Sequence, residues 1–176
     1  MKHLLLILLC CASAYAQHKI PDIPFNVPVH KRSEYYKTFD IKDKSAIIVT
    51  AGNSGYRNEK QHFLVYSNKG PVRKFIIERA EVQEISVTAE QSETYWQFLY
   101  SYFNADLLDR EKLSDRKSTI VVLDGSWDYF IVYSKKESYA LNSHASETYI
   151  DAKSYGWEER VKLLKLIEEF QNVFSK

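Results

Sequence analysis

The chain has two cysteines, Cys10 and Cys11, both close to its N-terminus. No thiol follows them, so neither a disulfide nor a thiolate metal site is open to the rest of the chain. Glycine is scarce as well. The five glycines are scattered singly, which leaves no glycine-rich loop to cradle a phosphate. Charge of one sign is not in excess, with 24 Lys and Arg against 23 Asp and Glu. That balance gives no expectation of capture of nucleic acid or of an anionic membrane surface. Long apolar runs are missing too. The run from Leu4 to Cys11 falls well short of the roughly 20 residues that a bilayer span requires.

What stands at the N-terminus is a short basic start, Met1-Lys2-His3, then that apolar run, then Ala12-Ser13-Ala14-Tyr15-Ala16. A positive end, a brief apolar core and a small-x-small exit are the three parts of a secretory signal. The expectation is a signal peptide over 1–16, cleaved after about Ala16, and a secreted or periplasmic mature chain. Lipid anchoring at Cys10 or Cys11 fits less well, because Leu8 and Leu9 stand where that chemistry needs small residues. Pro21, Pro24 and Pro28 then hold 17–34 as an extended linker. Residues 35–176 are enough for a single domain with a core of its own.

Aromatics are plentiful, with 13 Tyr, 9 Phe and 3 Trp. Tyr suits half-buried strand positions, where the ring packs and the hydroxyl stays wet. It also suits contact surfaces, and this second use sets the functional expectation below.

Ala46 to Ala51 is a β-branched run that ends at the turn-rich Gly52-Asn53-Ser54-Gly55. His62 to Tyr66 and Val72 to Ile77 flank a turn at Ser67 to Pro71. Tyr36 to Ile41 is expected as an edge strand, and Val82 to Val87 as a continuation of the preceding strand. Thr88 and Gln91 have capping-box spacing, and Trp96, Leu99, Tyr100 and Phe103 make one face of the helix that follows. Thr119 to Leu123 reads as a strand, Asp124-Gly125 as a hairpin turn, and Trp127 to Tyr133 as an alternating strand. Ser138 to Leu141, a polar loop from Asn142 to Gly156 and a last helix from about Trp157 to Phe174 complete the chain. Leu163, Ile167, Phe170 and Phe174 form that helix's apolar stripe, with Glu158, Glu159, Lys162, Lys165 and Glu169 facing water.

The expected fold is therefore α+β: an antiparallel sheet of about five to seven strands with two helices on one face, in the order β-β-β-α-β-β-β-α. The order is similar to that of profilin-like and longin-like domains, a similarity that implies no function. Val65-Tyr66-Ser67-Asn68-Lys69 and Val132-Tyr133-Ser134-Lys135-Lys136 echo one another, as hairpin-forming strands of shared composition do.

Catalytic templates fail one by one. Gly52-Asn53-Ser54-Gly55 lacks the second glycine spacing of a nucleophile elbow, since Tyr56 stands in its place. There is no His-Glu-x-x-His pair, and a zinc site would need His62 and His144 to converge in space with a carboxylate. Asp124-Gly125-Ser126-Trp127-Asp128 has too few oxygen ligands for a calcium loop. No cofactor and no metal is expected. The candidate ligand-binding residues are Asp124, Trp127, Asp128 and Tyr129. The functional expectation is an exported, non-enzymatic domain that binds a partner protein or a glycan, with no nucleic acid partner and no transmembrane segment in the mature chain. Two alternatives remain open: a small secreted hydrolase with His62 or His144 beside a carboxylate, and an inhibitor or immunity-like protein acting through Gly52 to Gln61 or Asn142 to Gly156.

Overall fold

The computed structural model describes residues 18–25, 27–28, 33–54, 60–105, 107–118, 122 and 125–176. Strand β2 (Ile47–Asn53) is its centre, and all but the last of its residues are buried. A β-branched run covered on both faces has that pattern. Strands β3 (Gln61–Tyr66) and β6 (Trp127–Tyr133) flank it, so that Ile48 lies opposite both Val65 and Tyr133. Strands β4 (Arg73–Glu78) and β5 (Glu81–Ile85) extend one side; β7 (Glu137–His144) and the two-residue β1 (Val27–Pro28) extend the other. The sheet order is β1-β7-β6-β2-β3-β4-β5, antiparallel throughout. An α+β fold with an antiparallel sheet is thus what the chain adopts.

Helices α2 (Ala89–Phe103) and α4 (Trp157–Ser175) share one core with the sheet. The capping box forms: the Gln91 amide donates to the Thr88 hydroxyl at 3.2 Å, and the Thr88 amide donates to the Gln91 side chain at 2.8 Å. Trp96 and Leu99 from α2 and Leu163, Ile167, Phe170 and Phe174 from α4 are buried with Val49, Leu64, Phe130 and Leu141 of the strands. Each such side chain contributes roughly 1.5–3 kcal/mol when fully buried, so this layer carries most of the stability.

The opposite face differs from expectation. Tyr36 to Ile41 is not an edge strand. The chain forms the short helix α1 (Ser33–Thr38), which leaves through a Schellman turn in which Ile41 N–H donates to Tyr36 at 2.8 Å and Asp40 N–H to Lys37 at 3.1 Å. Six residues make a poor helix alone. This one is held because Phe39 seats its ring between Phe63, at 5.2 Å, and Phe75, at 4.4 Å.

Other elements also depart from expectation. Val82 to Ile85 does not continue β4. Arg79 and Ala80, both left-handed at φ 52° and 67°, turn the chain back to make β5 a strand of its own, so five strands, β1 included, precede α2 and the profilin-like order does not hold. The strand expected at Thr119 to Leu123 falls outside the described residues apart from Val122. The loop expected after Leu141 is instead the end of β7 and the helix α3 (Ser146–Asp151). Glu159 does not face water: it is buried and accepts the Asp109 amide at 3.1 Å. Residues 18–25 carry no regular structure but are not a free tether, since Ile20, Ile23 and Phe25 pack on the main core. The two echoing pentapeptides lie at the β3–β4 and β6–β7 turns, on either side of the start of β2.

Two glycines separate backbone need from mere permissiveness. Gly156 has φ +74°, and a Cβ there would stand 1.8 Å from the Lys112 carbonyl oxygen. Gly70 has nothing within 4 Å of its Cβ position. Gly156→Ala is expected to cost about 3 kcal/mol or more, whereas Gly70→Ala should be neutral or stabilise by about 0.5 kcal/mol; urea midpoints of the two variants check the contrast.

Candidate functional site

Alternation along β6 sends Trp127, Tyr129, Ile131 and Tyr133 away from the long helices and Asp128, Phe130 and Val132 towards them. Of the expected site residues, Trp127 and Tyr129 therefore share one face of the sheet and Asp128 lies on the other. Asp128 is 4 % exposed and accepts the Asn53 side-chain amide at 2.9 Å. Tyr129 is half-buried, its ring lying across Gly52 on the neighbouring strand: a Cβ on Gly52 would stand 3.2 Å from the Tyr129 hydroxyl. Asp124 is outside the described residues. Of the three that are described, Trp127 alone is exposed, at 51 %.

Trp127 forms one wall of a pocket of about 340 Å³, lined otherwise by Arg110, Leu113, Ser114, Asp115, Arg116, Asn142 and His144. His144 lies opposite Trp127 in the β6–β7 register, with ring centroids 5.1 Å apart. Its Nδ1 is 3.7 Å from Asp115 Oδ2, within ion-pair reach but too long for a hydrogen bond. Its Nε2 would lie 3.0 Å from a Cβ on Gly125. Beside it, Ala145 is left-handed at φ 46° where β7 turns into α3, and its amide donates to Ser126 at 2.8 Å. A Cβ on Gly125 would also meet the Ala145 Cβ at 2.7 Å. Glycine is needed at 125 by close approach, and the imidazole is held between indole, carboxylate and backbone.

Asp115 is itself held from behind. Arg160, fully buried, donates to Asp115 Oδ1 at 2.9 Å, to Lys112 at 3.0 Å, to Tyr155 at 2.8 Å and to Leu113 at 3.2 Å. Its guanidinium lies over the Tyr149 ring at 4.4 Å. Burial, followed by the Asp115 charge, pushes the Tyr149 phenol above its ordinary value, and that phenol donates to Asp115. The two 3₁₀ turns, Arg110–Leu113 and Asp115–Lys117, thus become a fixed pocket wall.

The zinc expectation needed His62 and His144 to converge, and they do not; the hydrolase expectation needed one of them beside a carboxylate, and His144 stands 3.7 Å from Asp115. His62 is on the helix-covered face, stacked on Phe174 at 4.2 Å, while His144 is on the other. Among the described residues no group of three or more His, Asp and Glu is placed to hold a metal ion, and no helix is long and apolar enough to cross a membrane. Asp115 and Arg160 went unnoticed in the sequence. Arg160 had a signal: it falls three residues before Leu163, on the apolar stripe itself.

Asp115→Asn should cost about 1.5–3 kcal/mol, the worth of a hydrogen bond to a charged group, and should loosen the 110–117 wall; urea unfolding and amide exchange of that segment check it. For His62, burial first, then the charges of Lys74 and Lys60, hold the imidazole below its ordinary value. The unfolded imidazole therefore takes its proton first. Stability from this group is full above about pH 6.5 and is lost as pH falls below it. His62→Gln should flatten the slope of unfolding free energy between about pH 7 and pH 5.

No protein-family model matches this chain, nor does any curated protein or solved structure.

Proposed function

We propose that this chain is an exported binding domain that takes a sugar ring on Trp127, with the polar walls of the adjoining pocket reading the ring's hydroxyls. The observation that carries this is an indole 51 % exposed at the mouth of a pocket whose other walls, Leu113 apart, are hydrogen-bonding side chains. A sugar ring shows C–H groups on its face and hydroxyls on its edge, so it needs an aromatic floor with donors and acceptors around it. Asn142 supplies both, Arg110 and Arg116 supply donors, and Asp115 accepts. Binding is favoured over glycoside cleavage, which uses two carboxylates facing one bond. Asp115 is the single carboxylate lining this pocket among the described residues, and Arg160 already occupies one of its oxygens. The Lys2-to-Ala16 leader supports export, with Gln17 as the first residue of the mature chain.

The approach of His144 to Asp115 favours a second reading, a small hydrolase, because a carboxylate beside an imidazole is the base half of a nucleophilic site. Against it, backbone at Gly125 rather than a side-chain hydroxyl faces the outer nitrogen.

On a glycan array, the wild-type chain should retain a defined set of saccharides, and Trp127→Ala should weaken their binding at least about fivefold, the loss of one stacking platform. Its melting temperature should stay within a few degrees of wild type, because the indole is half in water. Full binding by Trp127→Ala would sink the sugar reading. Turnover of an ester or amide substrate that His144→Ala abolishes would replace it with the hydrolase, and the N-terminal residue of the exported chain tests the leader.

A further inference from the structure

A second concavity lies at the other end of the sheet. Trp127 opens β6 and Tyr133 closes it, six residues on, or about 20 Å along a strand. Past Tyr133, the β6–β7 turn meets the loop after α1, and between them is a pocket of about 370 Å³. Tyr36 and Ile41 form its apolar floor, and Lys37, Lys42, Lys44 and Lys135 surround it.

The charge in this pocket is one-sided. Asp40 is its only carboxylate among the described residues, and Lys42 is already bonded to it. Lys37, Lys44 and Lys135 form no ion pair among the described residues. The nearby Asp43, whose charge reaches Tyr36, is bonded to serines rather than to these lysines. It accepts from the Ser45 amide at 3.0 Å, the Ser45 hydroxyl at 2.7 Å and the Ser67 hydroxyl at 2.6 Å, and these bonds hold its carboxyl below the usual range. Those same bonds tie the loop to the β3–β4 turn, while the Schellman turn fixes its other end. The backbone carrying the lysines is therefore set before any ligand arrives. Concave walls of one sign concentrate counter-ions, and ammonium groups serve phosphates as point charges.

We propose that this lysine pocket binds a ligand carrying two or more phosphate groups. The ligand is either soluble or presented as a lipid headgroup; the site is separate from the Trp127 pocket and independent of its function. The balanced composition of the chain gave no sign of it, because the balance is a total and the pocket is local.

The test uses the full chain, with sodium tripolyphosphate as the soluble probe and vesicles of phosphatidylcholine with or without cardiolipin, whose headgroup carries two phosphates, as the lipid probe. The variant is Lys37→Gln/Lys44→Gln/Lys135→Gln. The control, Lys19→Gln/Lys153→Gln/Lys165→Gln, removes as much charge from exposed positions elsewhere. Tripolyphosphate titrated calorimetrically in about 50 mM salt should bind wild type and control alike and the pocket variant at least about tenfold more weakly, with the difference shrinking at higher salt. Cardiolipin-dependent binding that the pocket variant loses and tripolyphosphate displaces identifies the lipid source; calorimetric binding without it identifies the soluble one. Equal loss in the control and the pocket variant, or no binding of either probe by wild type, would overturn the proposal. Melting temperatures of all three chains confirm that they are folded.

Discussion

One buried guanidinium holds the wall of the Trp127 pocket in shape. Removing a charge from water is costly unless hydrogen bonds replace the lost hydration. Arg160 replaces it with three backbone carbonyls and a carboxylate, and leaves only Nε unmatched. Two of those carbonyls, of Lys112 and Leu113, belong to the first 3₁₀ turn, Arg110–Leu113, beside β7. A hydrophobic replacement often improves on a buried ion pair elsewhere. Here it would orphan the carbonyls as well as Asp115, so the usual exchange does not apply. Gly156 belongs to the same arrangement, because only a residue without Cβ lets the Lys112 carbonyl approach helix α4 so closely.

Much of the fold was written locally. The Thr88–Gln91 pair marked the start of α2, and the β-branched run at Ile47 and the alternation from Trp127 marked the central strands. Where the sequence misled, a distant contact had overridden local preference. Tyr35-Tyr36 reads as strand by propensity, yet the chain there is helical because Phe39 docks between two rings contributed by β3 and β4. The turn at Arg79-Ala80 carries none of the Gly or Asn that normally announces a left-handed pair, so β5 was hidden inside its neighbour. The site was half legible for a similar reason. Trp127 is visible as the outermost ring of an alternating strand, but Asp115 sits in a charged connection with no periodicity, and only the position of Arg160 on an apolar stripe points to it.

The abundance of tyrosine means something other than a binding surface. Tyr66 is buried and donates to the Tyr95 carbonyl at 3.0 Å; Tyr36 donates to the Ala46 carbonyl; Tyr102 and Tyr139 share a hydroxyl contact of 2.7 Å. Burial pushes the Tyr36 phenol up to about 12, so these groups stay protonated donors at any physiological pH. Phenols here fill the core and bond to backbone at its margins. A single exposed aromatic is ordinary on any protein surface. Trp127 gains weight only from what surrounds it, a fixed imidazole and a wall braced from behind.

The two pockets obtain rigidity by different means, and this bears on what each can bind. Around Trp127, side chains are the fixed part: His144 is wedged against Gly125, and Asp115 is pinned by Arg160 and Tyr149. Groups placed that firmly discriminate between hydroxyl patterns, because a ligand with the wrong edge leaves a buried donor or acceptor unmatched. At the lysine end only the backbone is fixed, and four flexible ammonium groups surround an apolar floor. Such an array follows charge density rather than shape and tolerates many geometries of phosphate. On the two proposals, the ends of the β6–β7 hairpin would divide recognition between them, one suited to stereochemistry and the other to charge.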